Sequence, residues 1–222
     1  MQPTSDSVTD LFTEAPGSPV LDLARLGKPL DFARLFGRPG PVAIEVGIGS
    51  GYFLSRYALD HPELNLLGID QAPSEVRRSA DKCTRLGATN ARVLCCDAIY
   101  FLYDYPAAAS VDEYHVYYSD PWHKRRHQKR RLWRPEFLDV VARTLRPGGR
   151  LFLKTDVTDY FTVIDGLLKG HDAFRLVDDR RLDSKPLEGD YETNFQRKAI
   201  LQGHPLHYQQ WERVGKDQGV RG

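Results

Sequence analysis

The sequence predicts an α/β fold, a doubly wound and mostly parallel seven-stranded sheet with helices on both faces. Three observations predict it. Short apolar runs that read as buried strands alternate with helical segments from Val42 onward. A glycine-rich turn follows the first of those runs. At Pro135 to Leu145 the apolar residues Phe137, Leu138, Val141 and Leu145 fall on one helical stripe before Pro147-Gly148-Gly149 stops it. Strands that alternate with helices imply a parallel sheet joined by right-handed crossovers.

Taken in order, residues 1–41 contain polar and Pro/Gly-containing pieces around two short helical patterns, near Val20 to Leu26 and Leu30 to Phe36. They are expected to form a partly mobile N-terminal arm. The domain proper is expected over 42–215 and a C-terminal tail over 216–222. Strands are expected at Val42 to Val46, Leu64 to Ile69, Ala91 to Cys95, Tyr114 to Tyr118 and Arg150 to Lys154. A helix around Asp159 to Leu168, a strand near Phe174 to Val177 and a last strand near Leu206 to Trp211 complete the pattern. The polar stretch between those last two strands, with Pro186 and Gly189, reads as a long connection of the kind that is often functional.

A chain of 222 residues is of single-domain size, and its 41% hydrophobic and 27% charged content is that of a globular protein. No apolar run approaches the roughly 18 residues of a membrane span, and residues 1–11 do not read as a signal segment, so the cytoplasm is the expected location. Three cysteines, with no Cys-x-x-Cys pair, argue against a disulfide framework or a zinc site and for reduced, mostly buried thiols. The formal charge of +1 conceals an asymmetry, because Lys124 to Arg131 contributes +6 and leaves −5 for the remainder.

That basic strip lies in Asp120 to Arg131, which reads DPWHKRRHQKRR. A carboxylate beside a cationic run suits an enzyme that acts on nucleic acid. The strip should bind phosphates and make affinity fall with salt; a solvated helix face is the blander reading. Trp122 could meet a base or the core. His123 and His127 have a spacing that could bind zinc on a helix, but Lys124, Arg125 and Arg126 between them would repel a cation, and no metal is expected.

The turn after the first strand, Glu45-Val-Gly-Ile-Gly-Ser-Gly51, is spaced Gly-x-Gly-x-Gly. Gly47 and Gly49 let backbone approach a ligand, and the acidic Glu45 suits a cationic ligand better than a pyrophosphate. Asp70 is expected to end the second strand, where a carboxylate can accept both hydroxyls of a ribose. Asp97 is expected to end the third strand, a position suited to the exocyclic amine of an adenine. Each acid alone reads equally as a strand-end residue or helix cap; three on one sheet edge are harder to dismiss.

These positions resemble the Rossmann-like methyltransferases that use S-adenosylmethionine, and more specifically the bacterial tRNA (guanine-N7)-methyltransferases. The match is carried by Ser119-Asp120-Pro121-Trp122-His123-Lys124, Arg126-His127-x-Lys129-Arg130-Arg131, Pro147-Gly148-Gly149, Lys154-Thr155-Asp156, Thr193-x-Phe195 and Gly203, in the family's order. The resemblance implies that Glu45, Gly47, Gly49, Asp70, Asp97 and Asp120 bind the S-adenosyl-L-methionine donor. It implies that Lys124, Arg126, His127, Lys129, Arg130, Arg131, Asp156, Thr193, Asn194, Phe195 and Gln196 meet tRNA, with Asp120 nearest the reaction and ending the fourth strand. The family pattern reads Thr-x-Phe-Glu where this chain has Gln196, an amide that accepts a hydrogen bond but carries no charge.

The implied activity is methylation of N7 of a tRNA guanine, in the variable-loop region, by a monomer or homodimer. A methyltransferase acting on another substrate and a non-catalytic RNA-binding protein that keeps the fold stand as alternatives.

Overall fold

The computed structural model describes residues 18–122, 124–182, 191 and 193–215, which fall into two compact units, residues 1–107 and 108–222. Eight strands are present among the described residues, one more than the sequence predicts.

In the first unit, β1 (Val20–Leu21), β2 (Val42–Val46), β3 (Asn65–Asp70) and β4 (Ala91–Cys95) lie in the order β1-β4-β3-β2, every pair parallel. The extra strand is β1. The sequence places its two residues in a helical pattern, but Val20 and Leu21 instead pair with Val93 and Leu94, and only a 3₁₀ turn at Leu23–Arg25 follows. Helix α1 (Phe32–Phe36) starts where the Asp31 carboxylate accepts from the Arg34 amide and stops at Gly37, in the left-handed region at φ 70°. Residues 18–41 are thus structured and bury Val20, Leu21, Leu35 and Phe36, while residues 1–17 lie outside the described residues.

Strand β2 is buried at all five positions, which is why it reads as a continuous apolar run broken only by Glu45. Helices α2 (Tyr52–Asp60) and α3 (Pro73–Leu86) bring Leu54, Ala58, Val76, Ala80 and Cys83 into one cluster with Ala43, Leu66, Ala91 and Val93 of the sheet. Helix α4 (Ala98–Asp104) follows β4 after Cys96 and Asp97.

In the second unit, β5 (Val111–Tyr117) and β6 (Leu145–Thr155) are parallel, whereas β7 (Phe174–Leu182) and β8 (Leu206–Arg213) run antiparallel to each other and β8 antiparallel to β6, giving β5-β6-β8-β7. Helix α5 (Pro135–Thr144) buries the predicted stripe, including Phe137, Leu138 and Val141, and α6 (Thr158–Lys169) buries Tyr160, Ile164 and Leu168. Pro147-Gly148-Gly149 ends no helix directly: α5 stops at Thr144 and the three residues lie within β6. Helix α7 (Asn194–Leu201) occupies part of the stretch expected to be an irregular connection; residues 183–190 lie outside the described residues, as do 216–222.

Candidate active site

In the first unit the glycine-rich turn and Asp70 form one hydrogen-bonded arrangement. The Gly47 amide donates to the Ile69 carbonyl at 2.8 Å, which ties the turn to the end of β3. The Gly49 amide donates to Asp70 Oδ2 at 3.1 Å and the Ala72 amide to Oδ1 at 2.9 Å. Each carboxylate oxygen therefore has its direction set by a backbone N–H and retains a lone pair, the arrangement a vicinal diol needs. A Cβ placed on Gly47 or Gly49 would meet nothing within 4 Å, so the turn faces open space. This preset carboxylate and open backbone fit the ribose and amino-acid parts of an S-adenosylmethionine donor.

Asp97 is exposed and lies two residues past β4 rather than at its end. It caps α4, accepting from the Tyr100 amide at 2.9 Å, and its other oxygen accepts from the Gln71 side chain at 2.6 Å. Gln71 is a residue sequence reasoning passed over; it connects the loop after Asp70 to Asp97, and its adjacency to Asp70 was the available signal. Glu45 is only 4% exposed and pairs in register with Gly68, so it lies deeper than the strand end where Asp70 sits. Burial, with the Glu45 charge adding to it, pushes the Cys83 thiol up to about 12. Only Cys83 of the three free thiols is buried; Cys95, the last residue of β4, is exposed. Cys96 is half-buried, so of the thiols expected to be mostly buried only Cys83 is fully so.

In the second unit, β5 ends at Tyr117, three residues before Asp120. The expected strand end at Asp120 is displaced because Tyr118 turns into the left-handed region at φ 52°, its amide still donating to the Lys154 carbonyl at 2.8 Å. Trp122 is also left-handed, at φ 41°. Between them Ser119 Oγ accepts from Trp133 Nε1 at 3.1 Å, and the Pro121 carbonyl accepts from Arg131 Nε at 2.6 Å. Asp120 is exposed within this pinned turn. Burial pushes the Tyr160 hydroxyl above its usual value, with Ser119, the Trp133 backbone and the Arg131 charge opposing the rise and the Asp120 charge adding to it.

The basic strip forms a 3₁₀ helix, Arg125–Arg130, preceded by Lys124 as its cap, and Lys124, Arg126, Lys129 and Arg130 are exposed. Trp122 joins neither the core nor open solvent. It is half-buried, edge-on to His127 with centroids 5.7 Å apart, and under the Arg130 guanidinium at 5.2 Å. His127 accepts from Arg126 Nε at 3.2 Å; His123 lies outside the described residues. Arg131 differs from the other cations, being half-buried with its Cζ over the Tyr160 ring, 4.9 Å from the centroid.

Asp156 follows β6 and its Oδ2 lies 3.6 Å from His204 Nδ1. The segment Thr193 to Gln196 opens α7: the Thr193 hydroxyl accepts from the Gln196 amide at 3.1 Å, and Asn194 is the first helical residue. Because neighbours on a helix point about 100° apart, Phe195 is 58% exposed and Gln196 only 1%. Phe195 stacks on Tyr118, centroids 6.2 Å apart and planes 15° from parallel. Sequence reasoning missed Tyr118, Trp133 and Tyr160.

Comparison with known proteins is consistent with this reading. A family model described as "Putative methyltransferase" matches residues 39–208. The chain is 34% identical over 194 residues to a tRNA (guanine-N(7)-)-methyltransferase of Cutibacterium acnes, an alignment covering 85% of this chain and 68% of that relative. It is 32% identical over 200 residues to the enzyme of the same name from Yersinia enterocolitica, covering 88% and 82%. Among solved structures it is similar to the 16S rRNA methyltransferase KamB, with TM-score 0.62 at 18% identity over 86% of this chain and 98% of that one. It is also similar to a 16S rRNA (adenine(1408)-N(1))-methyltransferase variant from Catenulisporales acidiphilia solved with cosubstrate SAM, with TM-score 0.60 at 19% identity over 85% and 92%. The fold is therefore Rossmann-like, of the class I methyltransferase type.

Proposed function

The chain belongs to the tRNA (guanine-N(7)-)-methyltransferase family, and we propose that it transfers the methyl group of S-adenosylmethionine to N7 of a guanine in the variable-loop region of tRNA. The observation that carries this reading is the pinned turn Ser119 to Trp122, which exposes Asp120 immediately ahead of four exposed cations.

The donor, when bound, supplies a sulfonium methyl group open to attack by a nucleophile. On this reading Asp70 takes the ribose hydroxyls, Asp97 the adenine amine, and the turn at Gly47 and Gly49 the approach of backbone to ligand, with Glu45 contributing negative charge beneath it. Guanine N7 has an accessible lone pair and no proton, so the chain needs no general base. Holding nucleophile and methyl in line supplies a large part of the acceleration. Asp120, and Asp156 with it, orients guanine donor groups and stabilises the positive charge that develops on the purine. A guanine stacked in tRNA has to be exposed for this, and the near-parallel rings of Phe195 and Tyr118 offer an aromatic surface for an unstacked base. Lys124, Arg126, Lys129 and Arg130 take the phosphates.

No helix among the described residues is long and apolar enough to cross a membrane. The place of action on this reading is the cytoplasm, as a monomer or homodimer. The test is methylation of two unmodified tRNA transcripts with labelled S-adenosylmethionine, one natural and one with the variable-loop guanines replaced by adenine. Label in the first alone is expected. Equal label in both would refute the variable loop as target, and none in either would refute the activity.

A further inference from the structure

Sequence reading groups Arg131 with the cations before it as a phosphate contact, yet its geometry is unlike theirs. Lys124, Arg126, Lys129 and Arg130 are exposed, whereas Arg131 is half-buried. Its Nε–H is spent on the Pro121 carbonyl at 2.6 Å, and its Cζ lies over the Tyr160 ring, 4.9 Å from the centroid. Pro121 is the residue after Asp120. The residue before it, Ser119, is held by Trp133 Nε1 at 3.1 Å. Trp133 is 3% and Tyr160 1% exposed, so both anchors are rooted in the core of the second unit. The pinned residues are flanked by left-handed backbone at Tyr118 and Trp122, conformations that side-chain-bearing residues keep only where their surroundings impose them.

We propose that Arg131 is a positioning residue: its guanidinium, lying over the Tyr160 ring, holds the Pro121 carbonyl and so sets the direction in which Asp120 presents its carboxylate to the guanine. The inference rests on the assignment of Asp120 to the reaction. It requires arginine specifically, because a planar guanidinium can stack by its face while donating a directed bond from its edge, which an ammonium group cannot do.

That requirement separates the two roles. For a phosphate contact, Arg131→Lys keeps the charge and most of the function; for a positioning residue, Arg131→Lys is as defective as Arg131→Ala. We expect both substitutions to lower kcat by about 10- to 100-fold, while the slope of log tRNA affinity against log salt stays at the unsubstituted value. Lys129→Ala should instead reduce that slope by about 0.7–0.9. Tyr160→Leu, which removes the ring beneath the guanidinium, should reproduce the kcat loss, again with the salt slope intact. Calorimetric binding of S-adenosylmethionine verifies that each variant is folded; should Arg131→Ala fail it, Arg131→Lys and Tyr160→Leu decide. Wild-type kcat in Arg131→Lys or Tyr160→Leu, or a reduced salt slope in Arg131→Lys or Arg131→Ala, overturns the positioning role. Asp120→Asn in the same assay keeps the two assignments apart: full turnover there removes Asp120 from the reaction, while an inactive Asp120→Asn beside a fully active Arg131→Lys overturns the role of Arg131 alone.

Discussion

Alanine placed at Gly47, Gly49 and Gly51 in turn should separate the ligand-facing part of the turn from its packing part. All three glycines have positive φ, at 83°, 48° and 68°. Each substitution therefore incurs the left-handed penalty of about 1–2 kcal/mol, less about 0.4–1 kcal/mol regained by stiffening the unfolded chain. For Gly47 and Gly49 that is the whole cost, since a Cβ there meets nothing within 4 Å. At Gly51 the Cβ would lie 2.0 Å from Ser79 Oγ, which rotation can relieve, and 2.7 Å from Ser79 Cα, which it cannot. Helix α3 must shift away, adding about 1–3 kcal/mol of overpacking.

Gly51→Ala should thus lose about 2–4 kcal/mol, roughly 5–15 °C in Tm for a chain of this size, against about 1 kcal/mol for the other two. Donor affinity should show the reverse order, with Gly47→Ala and Gly49→Ala weakening S-adenosylmethionine binding about tenfold or more, because their Cβ atoms enter the space a ligand would approach. Thermal unfolding by circular dichroism and calorimetric titration measure the two orders. A Gly51→Ala protein melting within about 2 °C of the parent, or unchanged donor affinity in both other variants, would refute this division of the turn.

Three further outcomes are expected. Asp120→Ala should lower kcat by about 100- to 1000-fold in single-turnover methylation while leaving the melting temperature close to the parent's; retained turnover would take Asp120 out of the site. Gln196→Glu, the family's residue, would bury a carboxylate at a position only 1% exposed, costing about 2 kcal/mol or roughly 4–8 °C in Tm. Because burial raises a carboxyl's pKa, that loss should grow as pH rises from about 5 to about 8, and a pH-independent Tm difference would contradict it.

His207 packs against Phe161, bonds the Thr158 hydroxyl at 3.0 Å, and is held below its usual pKa chiefly by burial, with Arg181 adding and Asp179 opposing. The unfolded chain then binds more protons there than the folded one, so this stability is present above about pH 6.5 and lost as pH falls through and below that value. His207→Gln should therefore show a smaller fall in Tm between about pH 7.5 and about pH 5.5 than the parent; an identical fall would exclude His207 from the acid limb.

What the sequence disclosed follows from the range of the forces involved. Strands β2, β3 and β4 were legible because parallel strands buried on both faces read as apolar runs, and Asp70 and Asp97 because acids at the ends of such runs stand out. Strand β1 was not, since two residues carry no periodicity and only pairing with Val93 and Leu94 makes them a strand. Helix α7 carries its own signal, Thr193-x-x-Gln196, a capping-box spacing in which the threonine accepts from the fourth residue's amide, but the family resemblance draws those residues toward substrate contact instead. The inward turn of Arg131 was invisible because a run of like charges does not say which side chain finds an aromatic partner, and Tyr160 lies on a helix beyond the next strand.

The most direct test of the whole account is chemical mapping of the product. Unmodified tRNA incubated with the protein and labelled S-adenosylmethionine is treated with borohydride and aniline, which cleave the chain at N7-methylguanosine. Cleavage at one variable-loop guanine that also carries the label is the predicted result. Label without cleavage would place the methyl group on another atom and contradict the assignment of guanine N7.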